Sequence, residues 1–174
     1  PGFLSAILTM QGVVTFIGLI IFPIIHLTRL EHKSMAPFFP RQQRLVFILM
    51  LVAGIGLTFP ISISPLAEWN MNIKFPEFMS GFEQWAKTEE ERLAKLTAAI
   101  TDFQSPWELM LGILVVALLP AIGEELVFRG MIQQELWRGT RNIHVAIWVS
   151  ATVFSAIHMQ FYGFIPRLCL GALF

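Results

Sequence analysis

Ten residues constrain this chain more than any others. Ala121-Ile-Gly-Glu-Glu-Leu-Val-Phe-Arg-Gly130 sets Glu124, Glu125 and Arg129 inside a run that is otherwise apolar from Leu109 to Met131. One ionised side chain at the middle of a membrane helix costs about 2.5 to 3.5 kcal/mol on insertion scales, so such residues tend to pair and to mark functional sites. Glu125 and Arg129 are four apart with the acid first, the favourable order for a helical ion pair. At about 100° per residue, Glu124 lies about 100° from Glu125 and about 140° from Arg129. This arithmetic leaves Glu124 as the carboxylate with no local cation, a group suited to general acid or base work in a low dielectric. A plainer alternative holds if the hydrocarbon ends at Gly123: the three charges are then a polar rim at head-group level.

Composition decides the class. With 55% hydrophobic and 14% charged residues and a mean hydropathy of +0.66, the chain reads as an integral membrane protein. Twelve Lys and Arg balance twelve Asp and Glu, so nothing in the charge recommends nucleic acid or an acidic partner. The single Cys169 excludes an internal disulfide and reads as a packing residue. The chain starts at Pro1 and stops at Phe174, ten residues into an apolar segment that begins at Ile165. The expectation is one membrane-embedded domain over residues 1–174, incomplete at its C-terminus and at its N-terminus, with its last span unfinished.

The expected fold is all-α: a polytopic transmembrane helix bundle of about four full spans plus the start of a fifth. Phe3 to Ile25 is the first span, interrupted only by Thr9, Gln11 and Thr15 and too long for a signal sequence. Gln11 reads as a polar contact to a neighbouring helix. The connection from His26 to Arg44 carries Arg29, Lys33, Arg41 and Arg44 against Glu31 alone, and so reads as cytoplasmic. Leu45 to Ile63 is the second span, with Ala53, Gly54 and Gly56 suited to close helix approach and Pro60 bending or ending it. Ser64 to Ser105 holds most of the acids and is placed outside. Within it Thr88 and Glu91 read as a capping box that starts an amphipathic surface helix, after a shorter one bearing Phe78, Phe82 and Trp85.

Ser105-Pro-Trp-Glu108 is a helix start, with an N-cap serine, proline at the first position and glutamate at the third. The third span begins there, with Pro120 and Gly123 as a kink site just before the glutamates. If it continues to about Arg138, Gly139 ends it and Asn142 caps the next helix; Arg138 and Arg141 make this turn cytoplasmic too. The fourth span runs from about Ile143 to Met159 and carries Phe154-Ser-Ala-Ile-His158, with Phe154 and His158 four apart on one face. An isolated His in such a place is ordinarily a helix-contact residue. Here a short turn makes the third and fourth spans antiparallel, which would bring Glu124 and His158 into one polar pocket.

Glu124-Glu125-x-x-x-Arg129 followed by Phe154-x-x-x-His158 resembles the first two motifs of the CPBP superfamily, the CAAX-type and bacteriocin-processing intramembrane proteases. The resemblance covers residues 107–174. It implies that Glu124 activates water with help from His158, and that Glu125 and Arg129 support it. It also implies an integral protein of a bacterial plasma membrane, with a membrane-associated protein or peptide as substrate. A later His and Asn, thought in the family to stabilise the oxyanion, would lie beyond Phe174.

The chemistry expected is peptide hydrolysis, with Glu124 and His158 taking the proton of an attacking water. No cofactor is favoured. A divalent metal such as zinc is the alternative, but there is no HExxH pair, and Glu124, Glu125 and His158 are thin for a catalytic zinc site. An ion- or proton-coupled transporter is the main rival, since Glu, Arg and His inside a bundle also carry ions across membranes. No internal repeat of the charged segments supports it. A non-catalytic immunity or scaffold protein is the third reading.

Topology is testable on these grounds alone. Single cysteines placed between Arg29 and Arg44 and between Arg138 and Arg141 should label from one side of sealed vesicles, and cysteines between Glu77 and Asp102 from the other. Labelling of both groups from one side would overturn the orientation.

Overall fold

A serine hydroxyl starts the helix on which the candidate site is built. In the computed structural model, which describes residues 2–35 and 44–173, Ser105 Oγ accepts a hydrogen bond from Glu108 N at 3.2 Å. Glu108 Oε2 in return accepts one from Gln104 N at 2.9 Å. Two amides that the helix itself leaves unpaired are thereby satisfied. The buried Glu108 carboxylate also accepts from Ser5 Oγ at 3.4 Å.

Among the described residues there are six helices: α1 Phe3–Leu30, α2 Leu45–Met71, α3 Ser80–Ile100, α4 Pro106–Thr140, α5 Ile143–Ala156 and α6 Phe164–Leu173. Short 3-10 turns occupy Glu77–Met79 and Phe161–Gly163, and there is no strand among the described residues. The all-α expectation holds. Helices α1, α2 and α4 are each long and apolar enough to cross a membrane, and the protein is an integral membrane protein. The fourth span, expected to Met159, stops as a helix at Ala156; its 14 residues reach about 21 Å, short of a hydrocarbon core of about 30 Å.

By contacts the chain forms two compact units, Pro1–Met35 with Glu91–Ser150, and Ala36–Glu90 with Ala151–Phe174. In the first, α1 and α4 run parallel and in step. Ser5 meets Glu108 near their starts. A methyl group on Gly12 would lie 2.8 Å from Val115 Cγ2, and one on Gly123 would overlap the Leu19 side chain. At their far ends Lys33 Nζ donates to Gln134 Oε1 at 2.6 Å and Arg138 Nη1 to Glu31 Oε2 at 2.9 Å. The buried positions of α1, Leu8, Gly12, Ile20, Pro23 and Leu27, form one helical stripe, and Gly112, Val115, Gly123, Leu126 and Gly130 form another on α4. Small residues at the contact let the backbones approach, which is how membrane helices gain packing without a hydrophobic driving force between them.

Both helices widen locally. Phe16–Ile21 and Ile113–Leu118 are π-helical, and each contains the carbonyl four residues before a proline, Leu19 before Pro23 and Val116 before Pro120. A proline ring clashes with that carbonyl in a regular α-helix, and a wider turn relieves the clash while keeping the chain helical.

In the second unit α2 packs on α6 and on the Phe161–Gly163 turn. Phe161 stacks near Phe75 and Phe82, with ring centroids 5.1 and 5.5 Å away. Pro60 and Pro65 lie inside α2 without ending it. Ser64 Oγ donates to Ile61 O at 3.0 Å, so a hydroxyl satisfies the carbonyl that Pro65 leaves without an N–H.

Other local expectations changed. The first span continues as helix to Leu30, and the second runs on past Pro65 to Met71. Thr88 caps nothing: it sits inside the single helix α3, and its hydroxyl donates to Gln84 O at 2.8 Å. The helix formers around it, Gln84 to Lys87 and Glu89 to Glu91, outweigh one threonine. Helix α4 ends after Thr140 rather than at Gly139, with Arg141 in the left-handed region (φ 56°) and its N–H bonded to Trp137 O at 2.8 Å. Asn142 caps α5 as expected, its Oδ1 accepting from the amides of His144 and Val145 at 3.0 and 3.3 Å. The stretch 36–43, with Arg41, lies outside the described residues.

Glu31 ties the ends of α1 and α4 together, with Lys33 Nζ at 2.5 Å, Arg138 Nη1 at 2.9 Å and His26 Nε2 at 3.1 Å. The Lys33 ammonium holds this carboxyl below its ordinary value of 4.5; burial opposes the shift and Arg138 adds to it. A carboxyl lowered in the folded state stabilises the fold above its unfolded pKa and loses that contribution as pH falls through the folded one. Melting in detergent should therefore fall between pH 5 and 3. Glu31→Gln should cost about 1 kcal/mol at pH 7, roughly 2 to 4 °C, and flatten the acid limb; an unchanged limb would place the acid sensitivity elsewhere.

Candidate active site

Glu124 lies where α1 and α4 come closest. Its neighbour Gly123 is buried, and a methyl group there would stand 3.0 Å from Leu19 O as well as against the Leu19 side chain. No residue larger than glycine fits without moving α1. Leu126 and Phe128 are buried on the same helix, and Ser150 Oγ donates to Phe128 O at 3.3 Å, bonding α5 to α4. The backbone that carries the three charges is thus held from two sides.

Arg129 Nη1 donates to Glu125 Oε2, the ion pair expected from the spacing. The pair is not deeply enclosed: the Glu125 side chain is 52% exposed and that of Arg129 26%. Glu124 departs from expectation. Glu125–Ile132 is a π-helical segment, and its i→i+5 bonding brings residues five apart toward one face. Glu124 and Arg129 are five apart, so the 140° of separation from regular α-helix arithmetic does not apply. Glu124 has an interaction of its own and is not the isolated carboxylate.

His158 belongs to the second unit. It lies just past the end of α5, in the turn before Phe161–Gly163, and is followed by Met159 with a left-handed backbone (φ 54°). That conformation costs a non-glycine residue of the order of 1 to 3 kcal/mol, so surrounding contacts must impose it. His158 Nδ1 is 2.7 Å from Phe154 O, and the two rings meet edge to face with centroids 5.0 Å apart. A carbonyl only accepts, so Nδ1 carries the proton, and in the neutral ring Nε2 keeps the lone pair. The Phe154–His158 spacing therefore selects the tautomer. Ser155 Oγ donates to Phe164 O at 2.7 Å across the base of this turn, and Arg167 Nη2 to Gln160 Oε1 at 2.5 Å. Beside it, Phe82, Trp85, Ser155, Met159, Phe161 and Phe164 line a cavity of about 200 Å³.

The structure thus gathers Glu124, Glu125 and Arg129 on one helix of the first unit and His158 with Phe154 in the second. The anchors of the His158 turn, Ser155, Gln160 and Arg167, lie inside or beside the motif yet have no spacing rule that singles them out. Among the described residues no group of three or more His, Cys, Asp or Glu side chains is placed to hold a metal ion. Cys169 is half-buried and free.

The Glu125–Arg129 pair can be weighed by a double-mutant cycle. Because half of Glu125 is exposed, Glu125→Gln and Arg129→Met should each destabilise the protein and couple by about 1 kcal/mol, not the several kcal/mol of a fully buried pair. Additive losses in thermal unfolding would show that the pair contributes nothing.

No curated protein and no solved structure matches the chain. Residues 106–174 match the family model described as Type II CAAX prenyl endopeptidase Rce1-like. Over that segment, which holds both the Glu-Glu-Arg and the Phe-His motif, the chain is similar to the CAAX proteases of the CPBP superfamily, as the spacing of its charged residues indicates.

Proposed function

We propose that this protein is an intramembrane endopeptidase that hydrolyses a peptide bond in a membrane-associated protein, with water activated by Glu124 and His158. The observation that carries the reading is the family match, which spans both motifs. The geometry adds two supports: the Arg129 guanidinium on Glu125, and the Nδ1–H tautomer that leaves His158 Nε2 as a base.

In the reaction, Glu124 and His158 hold a water. Its oxygen attacks the scissile carbonyl carbon while its proton passes to the pair. The tetrahedral intermediate then expels the amine, and the held proton goes to the leaving nitrogen as the C–N bond breaks, giving a carboxylic acid and an amine. Glu125 and Arg129 keep the local charge near neutral so that Glu124 can act beside them. This is a glutamate-dependent mechanism. A chelator should leave it unaffected, whereas a metal enzyme would lose activity and regain it with zinc. The basic ends of α1 and α4 face the cytoplasm of a bacterial cell in this reading.

Two residues that activate one water remove the same step when lost. In the intact protein Glu124→Gln and His158→Ala should each abolish cleavage of a membrane-associated substrate, and the double variant should be hardly worse than either. Full proteolysis by Glu124→Gln would sink the assignment, and proton-coupled uptake that disappears with the same substitution would put a transporter in its place.

A further inference from the structure

We propose that Asn70 is the positioning residue for His158, acting through the Phe161 carbonyl; this rests on the reading of His158 as a water-activating base. Asn70 sits near the end of α2, completely buried, and its Nδ2 donates to Phe161 O at 3.0 Å. Its Oδ1 is buried too and has no hydrogen-bond partner among the described residues. The asymmetry identifies the half of the amide that matters. A buried carbonyl left unsatisfied is destabilising, so an apolar side chain would fill the space better unless the N–H were needed.

The carbonyl that it holds opens the Phe161–Gly163 turn, three residues after His158 and two after Met159. Met159 has a backbone that only surrounding contacts can enforce. Ser155 with Phe164 and Gln160 with Arg167 tie the turn to the segments on either side of it. The Asn70 bond comes from a helix 91 positions away. Phe75 and Phe82 pack against the Phe161 ring, but ring packing leaves the peptide plane free to rotate, and a hydrogen bond to its oxygen does not. With that bond gone, Met159 can relax to an ordinary backbone conformation. His158 then turns with it, and the 2.7 Å contact from Nδ1 to Phe154 O that sets the tautomer opens.

The test uses the intact protein in nanodiscs, with ¹⁵N-labelled histidine. Asn70→Leu keeps the size of the side chain but has no hydrogen to donate; Asn70→Ala removes the group. In a folded variant, kcat should fall about 10-fold to 100-fold at nearly unchanged KM, the scale of a small misplacement of a reacting group. The His158 ¹⁵N signals should also pass from one Nδ1–H tautomer to a mixture. Either readout unchanged overturns the proposal. Should Asn70→Leu not fold, Asn70→Ala is read in the same way; should neither fold, Asn70 holds the whole unit and not the turn, which overturns it as well. A His158→Ala protein of full activity would instead refute the role of His158, and the tautomer signal alone would then decide on Asn70.

Discussion

The contact between Gly123 and the Leu19 carbonyl is the constraint on which the first unit depends. Pro23 makes Leu19 O unable to sit in a regular helical turn, the Phe16–Ile21 segment widens around it, and the wider turn presents this backbone to α4. Only glycine at position 123 lets α4 come so near. The residue that follows is Glu124. One proline on the first helix and one glycine on the fourth therefore fix where the first glutamate of the motif sits, before any interaction of the glutamate itself is counted. The in-step pairs from Ser5 with Glu108 to Lys33 with Gln134 carry the same parallel packing along both helices.

Much of this was legible in the residues. The Ser105 start, the Asn142 cap and the Glu125–Arg129 pair follow from local rules that act within one helical turn, and all three appear as those rules require. What was not legible depends on packing or on departures from α-helical geometry. Thr88 with Glu91 has the form of a capping box, yet propensity on both sides runs one helix through it. Pro60 and Pro65 do not end α2, and at Pro65 the Ser64 hydroxyl takes up the stranded Ile61 carbonyl. The surroundings of Glu124 were not legible for a different reason: about 100° per residue holds for an α-helix, and the segment that begins at Glu125 is a π-helix. Glu31 stands as a lone acid in a basic stretch when read along the chain, and only the fold shows it as the junction of Lys33, Arg138 and His26. The close approaches of Gly12 to Val115 and of Gly123 to Leu19 are visible in sequence only once the partner helix is known.

The two motifs are positioned by different means, and the difference has a mechanical consequence. Glu124, Glu125 and Arg129 ride on the continuous backbone hydrogen bonding of α4, so displacing them requires opening a packed helix. His158 rides on a turn held by single side-chain bonds, Ser155 to Phe164 and Asn70 to Phe161, each worth about 1 kcal/mol net. Against these stands the left-handed backbone of Met159, which costs a comparable amount. The Arg167–Gln160 bond and the packing of Phe161 on Phe75 and Phe82 add to the two bonds, so the turn depends on side chains where α4 depends on its own backbone. The imidazole on this turn is nonetheless well defined chemically, because the Phe154 carbonyl imposes the Nδ1–H tautomer. The same contact that fixes the ring leaves Nε2 with its lone pair, so in the proposed reaction the order of this turn and the readiness of Nε2 as a base depend on one hydrogen bond.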